Sequence, residues 1–136
     1  MNKYNLVPTR YGYSKLFRNG SSIILEIDTE LHGDVISFDK KRYIQIKADN
    51  AFETFLKEIC EYCRIDYNPI VWLKLPYKYN RYNLTFLYKD GTLAHSGLIR
   101  KNAKVQLVVE LTGIDDQNCY IFWTVNRITF DSFNTL

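Results

Sequence analysis

The sequence predicts a mainly β chain with one α-helix, folded as a small, OB-like, partly open β-barrel, with an α+β sandwich as the alternative. Three observations lead there. Apolar residues alternate with a period of two in several short segments, one segment alone switches to a helical period, and turn-forming residues punctuate the intervals. At 136 residues the chain falls within the roughly 100–200 expected of one domain. No linker, repeat or low-complexity tract divides it, so residues 1–136 are read as a single domain.

Residues 1–20 contain Tyr4, Tyr11 and Tyr13 without a sustained period, which predicts an N-terminal arm or an added edge strand. Ile23, Leu25 and Ile27, then Ile44 and Ile46, alternate as two early strands. From Asn50 onward, Phe52, Phe55, Leu56, Ile59, Cys60 and Cys63 follow the stripe of an amphipathic helix. Asn50 is placed to cap it, and Glu53 three residues later completes a capping-box pattern. Beyond Pro69, Val71, Leu73 and Leu75 alternate. Leu84, Phe86 and Tyr88 run into Lys89-Asp90-Gly91, a hairpin signal. Val105, Leu107, Val109 and Leu111 form the clearest strand, Thr112-Gly113 interrupts it, and Ile121, Trp123 and Val125 resume toward Phe130.

The sequence offers little for catalysis, and no enzymatic activity, cofactor or metal is expected. His32 and His95 are the two histidines, and neither a nucleophile elbow nor a phosphate loop occurs. Cys60-x-x-Cys63 has the spacing of half a zinc site, with Cys119 and a histidine to complete it. Both cysteines extend the apolar stripe, however, where free cysteine behaves as a small buried hydrophobe. Asp115-Asp116 beside Gly113 read as a solvated turn. No run of about 18 apolar residues spans a membrane, and Met1-Asn2-Lys3-Tyr4-Asn5 lacks the apolar stretch of a signal peptide. Three cysteines do not make a complete set of disulfides, so a reduced intracellular compartment is expected, cytoplasmic in preference to nuclear.

Charge and aromatic content point to a binding function. Net charge is +3, but it is segregated: residues 1–20 hold four bases and no acid, and residues 70–104 hold seven bases against Asp90. Acids prevail elsewhere. Such segregation marks a polyanion face if the two basic segments meet in space. Tyrosine is in excess, with 11 copies beside 8 Phe and 2 Trp. Three of the tyrosines interleave with bases in Lys74-Leu75-Pro76-Tyr77-Lys78-Tyr79-Asn80-Arg81-Tyr82-Asn83. Aromatic rings stack on bases while Lys and Arg neutralise phosphates, the combination that holds single-stranded nucleic acid. An extended backbone puts Tyr77 and Tyr79 on one face; the competing reading is a loop whose tyrosines pack at a barrel rim.

Near the C-terminal end, the segment from Asn102 to Ile114, with its base, alternating strand and Gly113-Ile114 step, is followed by Tyr120-Ile121-Phe122-Trp123-Thr124-Val125-Asn126-Arg127-Ile128. This resembles the closing strands of OB-fold single-stranded DNA-binding proteins of double-stranded DNA viruses, and the Asn-, Lys-, Ile- and Tyr-rich composition is what AT-rich viral or cytoplasmic linear-plasmid genomes encode. The resemblance implies an architectural role for Gly113 and Trp123. It gives no support to recruitment of replication partners through an acidic tail, because Phe130 to Leu136 holds one acid.

The expectation is therefore a non-catalytic protein of DNA replication that binds single-stranded nucleic acid, DNA in preference to RNA. Tyr77, Tyr79 and Tyr82 are the stacking candidates, and Lys74, Lys78, Arg81, Lys89, Arg100, Lys101 and Lys104 the phosphate contacts. Replication proteins and a second copy of the chain are the possible protein partners. The alternatives are a factor recognising DNA termini or duplex, and a structural subunit whose aromatic surface meets another protein.

Overall fold

A computed structural model describes residues 3–115, 117 and 120–131. It is mainly β with one helix. The strands are β1 (Tyr4–Pro8), β2 (Tyr13–Arg18), β3 (Ser21–Ser22), β4 (Ile24–Glu30), β5 (Ile36–Phe38), β6 (Lys41–Lys47), β7 (Ile70–Leu75), β8 (Tyr77–Lys78), β9 (Arg81–Tyr82), β10 (Thr85–Tyr88), β11 (Lys104–Asp115) and β12 (Tyr120–Phe130), with helix α1 (Asn50–Cys63) between β6 and β7.

Five strands build the barrel wall. β4 pairs with β11, β11 with β12, β12 with β7 in parallel, and β7 with β6. Between β6 and β4 the wall is held by the bridge of Leu31 to Ile46 and by the His32 amide donating to the Gln45 carbonyl at 2.8 Å. The barrel is thus partly open along that seam. Numbered among themselves in chain order, the five strands run 1-2-3-5-4 around the wall, a Greek-key path of OB type. The period-two residues supply the filling: Ile44, Ile46, Leu73, Leu75, Leu107, Val109, Val125 and Ile128 all point inward and are fully or almost fully buried.

The helix closes one end. Phe52, Leu56, Ile59 and Cys60 are its buried stripe, and Phe52 meets Trp123 edge to face at 5.4 Å. Its start differs from the sequence expectation. Asp49, in extended conformation, is the N-cap and makes no side-chain cap, while Asn50 has a left-handed φ of 50°. The capping box does not form because the cap lies one residue early, which puts Glu53 four residues from it; the Glu53 carboxylate instead meets Lys57 and accepts the Tyr67 hydroxyl at 3.3 Å. The end is a left-handed cap at Arg64, with the Ile65 amide donating to the Cys60 carbonyl at 2.8 Å.

Residues 3–20 form an edge hairpin of β1 and β2, joined to the barrel where β2 pairs with the end of β11 through Ser14 and Ile114. It is fastened to the helix by polar contacts. The buried Tyr4 donates its hydroxyl to Glu58 at 2.7 Å, and Lys3 lies 3.3 Å from the same carboxylate. Burial, aided by Glu58, pushes the Tyr4 phenol from 10.0 up to about 12. The hydrogen bond from Tyr4, then Lys3, holds Glu58 below the usual carboxylate range. A raised phenol pKa stabilises the fold fully below pH 10.0, and that stability is lost as pH climbs toward 12. A depressed carboxylate stabilises above its ordinary range and is lost as acid protonates it. Melting curves across pH should show both limbs, with Tyr4→Phe flattening the alkaline one and Glu58→Gln the acid one.

Candidate functional site

The tyrosine segment is an excursion from the sheet. β12 pairs with β7 at Trp123 and Thr124, and farther along with β10 at Arg127 to Phe130, also in parallel. The chain leaves the wall at Pro76, which has no N–H to continue a ladder, and returns beside the same strand at Thr85. Between them β8 and β9 make a two-stranded hairpin closed by the Asn83 amide on the Pro76 carbonyl at 2.8 Å. Its tip is Tyr79-Asn80, with φ of 54° and 61°, the pattern of a type I′ turn.

This turn alters the predicted geometry. Tyr77 and Tyr79 do not share a face, because the chain reverses at Tyr79 and sets Tyr77 opposite Tyr82. Those two rings meet edge to face at 4.9 Å, and Tyr82 meets Phe86 at 5.5 Å. Arg42, at the start of β6, lies 3.9 Å over the Tyr77 ring and donates to the Tyr82 hydroxyl at 2.9 Å. Tyr77 and Tyr82 therefore pack at the barrel rim, whereas Tyr79 is 85% exposed with Lys78 at 5.1 Å from its ring. Arg81 is exposed beside the tip.

The remaining predicted bases lie at the same end of the barrel, away from the helix. Arg100, Lys101 and Lys104 line a shallow groove of about 400 Å³ floored by Leu98, Ala103 and Phe130. Three of the bases have acidic neighbours: Lys89 pairs with Asp131 at 3.2 Å, Lys104 stands across from Glu30, and the Lys101 amide donates to Asp34 Oδ1 at 2.8 Å. Lys74 is on the outer wall of β7, between Tyr43 and Thr124. The basic N-terminal segment does not join these residues. It docks at the far end of β11, roughly 30 Å along that strand from Lys104 at about 3.3 Å per residue.

The outer wall of β6 and β7 is the feature missed in the sequence. Inward Ile44, Ile46, Val71 and Leu73 leave Tyr43, Gln45, Trp72 and Lys74 outside. Tyr43 and Trp72 touch edge to face at 5.5 Å, and Trp72 is 44% exposed. Lys41 and Lys47 are exposed at the ends of β6, and no acid lies on either strand. The signal was present in the sequence: the residues alternating with the core positions include Tyr43, Trp72 and Lys74. β4, which meets β6 across the open seam, has the opposite sign, with Glu26, Asp28 and Glu30 exposed on it and Glu110 on the outer side of β11; the Leu31–Ile46 bridge sets Glu30 next to Lys47 in register. Trp72 also edges a cleft of about 700 Å³ between the end of the helix and the starts of β7 and β12.

Among the described residues no group of three metal-ligating side chains converges, and no helix is long and apolar enough to cross a membrane. Cys60 is buried in the core, and that burial raises its thiol pKa; Cys119 and Asp116 lie outside the described residues. Gly113 and Trp123 are architectural: Trp123 is 2% exposed, and a Cβ on Gly113 would come within 2.7 Å of the Tyr13 ring. The chain matches no protein-family model, no curated protein and no solved structure.

Proposed function

We propose that the protein binds single-stranded nucleic acid, with DNA favoured and replication as its setting, on the outer wall of β6 and β7 and the tyrosine hairpin above it. The observation that carries this reading is the Tyr43–Trp72 pair, half-exposed beside Lys74 on two strands that carry no acid. Unstacked bases offer flat faces to such rings, and the surrounding lysines neutralise phosphate. Duplex DNA hides those faces in its stack, so the wall favours the single strand over a terminus or duplex. Tyr79 at the hairpin tip extends the stacking surface, and Arg42 adds a guanidinium that no carboxylate among the described residues pairs with.

Anisotropy titrations of labelled oligo-dT and of duplex, each at low and high salt, test this. Oligo-dT should bind more tightly than duplex, and its affinity should fall steeply as salt rises. Equal binding to both, or binding to neither, refutes the proposal. An aromatic surface built for another protein would instead give a complex that survives high salt.

A further inference from the structure

We infer that the N-terminal hairpin carries the far end of the strand-binding face, so that Tyr13 and Tyr11 stack further bases of the same single strand that lies on Tyr43 and Trp72. This rests on the reading of the β6–β7 wall given above. Phe122, on β12 next to β7, points outward and is 43% exposed. The Tyr13 ring meets it edge to face at 6.4 Å, and Tyr11 follows at 6.4 Å with its plane within 20° of that of Tyr13. β11 stands between β12 and β2, and an ordinary side chain at its crossing point would interrupt the row. That position is Gly113, and a Cβ there would fall 2.7 Å from Tyr13 and 3.3 Å from Phe122. The missing side chain lets the Tyr13 ring lie across β11 to Phe122, which stands on the strand next to that of Trp72.

Charge selects nucleic acid as the occupant. Arg10 sits over the Tyr11 ring at 5.7 Å and Lys15 is exposed on β2, while the described part of the hairpin contains no acid. The one carboxylate in register is Asp115, opposite Tyr13 at the end of β11, and its Oδ1 accepts the Gln117 amide at 3.0 Å. Tyr11 is 72% exposed, which leaves a ring face open to a base.

The test compares wild type with Tyr11→Ala on oligo-dT of about four and about twelve nucleotides, spanning the site sizes of such folds. The longer oligomer should bind Tyr11→Ala roughly 5- to 10-fold more weakly than wild type, the shorter one about equally, at an unchanged urea midpoint. If wild type binds and Tyr11→Ala binds the longer oligomer as well as wild type does, the extension is wrong and the β6–β7 reading stands. If wild type binds neither oligomer, both fall. A change in sedimenting mass on Tyr11→Ala, without a loss of affinity, makes the hairpin a protein contact and overturns the inference.

Discussion

Trp72→Ala is expected to weaken oligo-dT binding by roughly 10- to 100-fold while leaving the urea midpoint nearly unchanged. The indole is on the outside of β7, its two neighbours in the strand being the buried Val71 and Leu73, so its removal opens no core cavity. What is lost is a stacking face worth about 1–3 kcal/mol per base, together with the edge contact that orients Tyr43. Trp72→Phe should recover most of the affinity, because a smaller ring still stacks. Fluorescence offers a second readout: Trp72 is the exposed member of the two tryptophans, and oligo-dT should quench emission in wild type and not in Trp72→Phe. An affinity for Trp72→Ala equal to that of wild type would remove the β6–β7 wall from the binding surface.

Trp123→Ala should have the opposite profile, a loss of stability of about 3–5 kcal/mol. Trp123 is 2% exposed, lies in the barrel interior and packs edge to face on Phe52 of the helix. Its removal leaves a cavity the size of an indole at the joint between barrel and helix, and a close-packed interior fills such a void only in part. Urea unfolding measures the loss. Oligo-dT affinity, compared at a urea-free temperature where the variant is still folded, should change far less than it does for Trp72→Ala. Two tryptophans separated by 51 positions in sequence thus report on the outside and the inside of the same wall.

The inside was far more legible in the sequence than the outside. Alternation at Val105, Leu107, Val109 and Leu111 predicted a strand, and all four are buried, because a period of two is what a half-buried strand imposes. The helix stripe from Phe52 to Cys60 was equally clear. The tyrosine hairpin was not. Its turn is Tyr79-Asn80 where Asn-Gly is the usual signal, so an extended segment was the natural reading. An aromatic residue at positive φ costs on the order of 1–2 kcal/mol, and a local rule does not anticipate a turn that tertiary contacts with Arg42 and Phe86 hold in place. The Tyr43–Trp72 pair escaped for a different reason. It joins residues 29 positions apart, and only the register of β6 on β7 brings them together. Charge was misleading in the same way: the two basic segments lie toward opposite ends of β11, whereas strand pairing sets Lys74 opposite Tyr43.

Acids on β4 and bases on β6 and β7 give the outer surface of the barrel an uneven charge. With Glu26 and Asp28 exposed on β4 and Lys41 and Lys74 on β6 and β7, a nearby polyanion exerts a torque on the protein before any atom touches. Rotational search is shortened, since approaches with β4 leading are repelled and approaches with β7 leading are drawn in. If the proposed partner is nucleic acid, the encounter rate is expected to fall with ionic strength through orientation as well as attraction, over a screening length of about 8 Å at physiological salt.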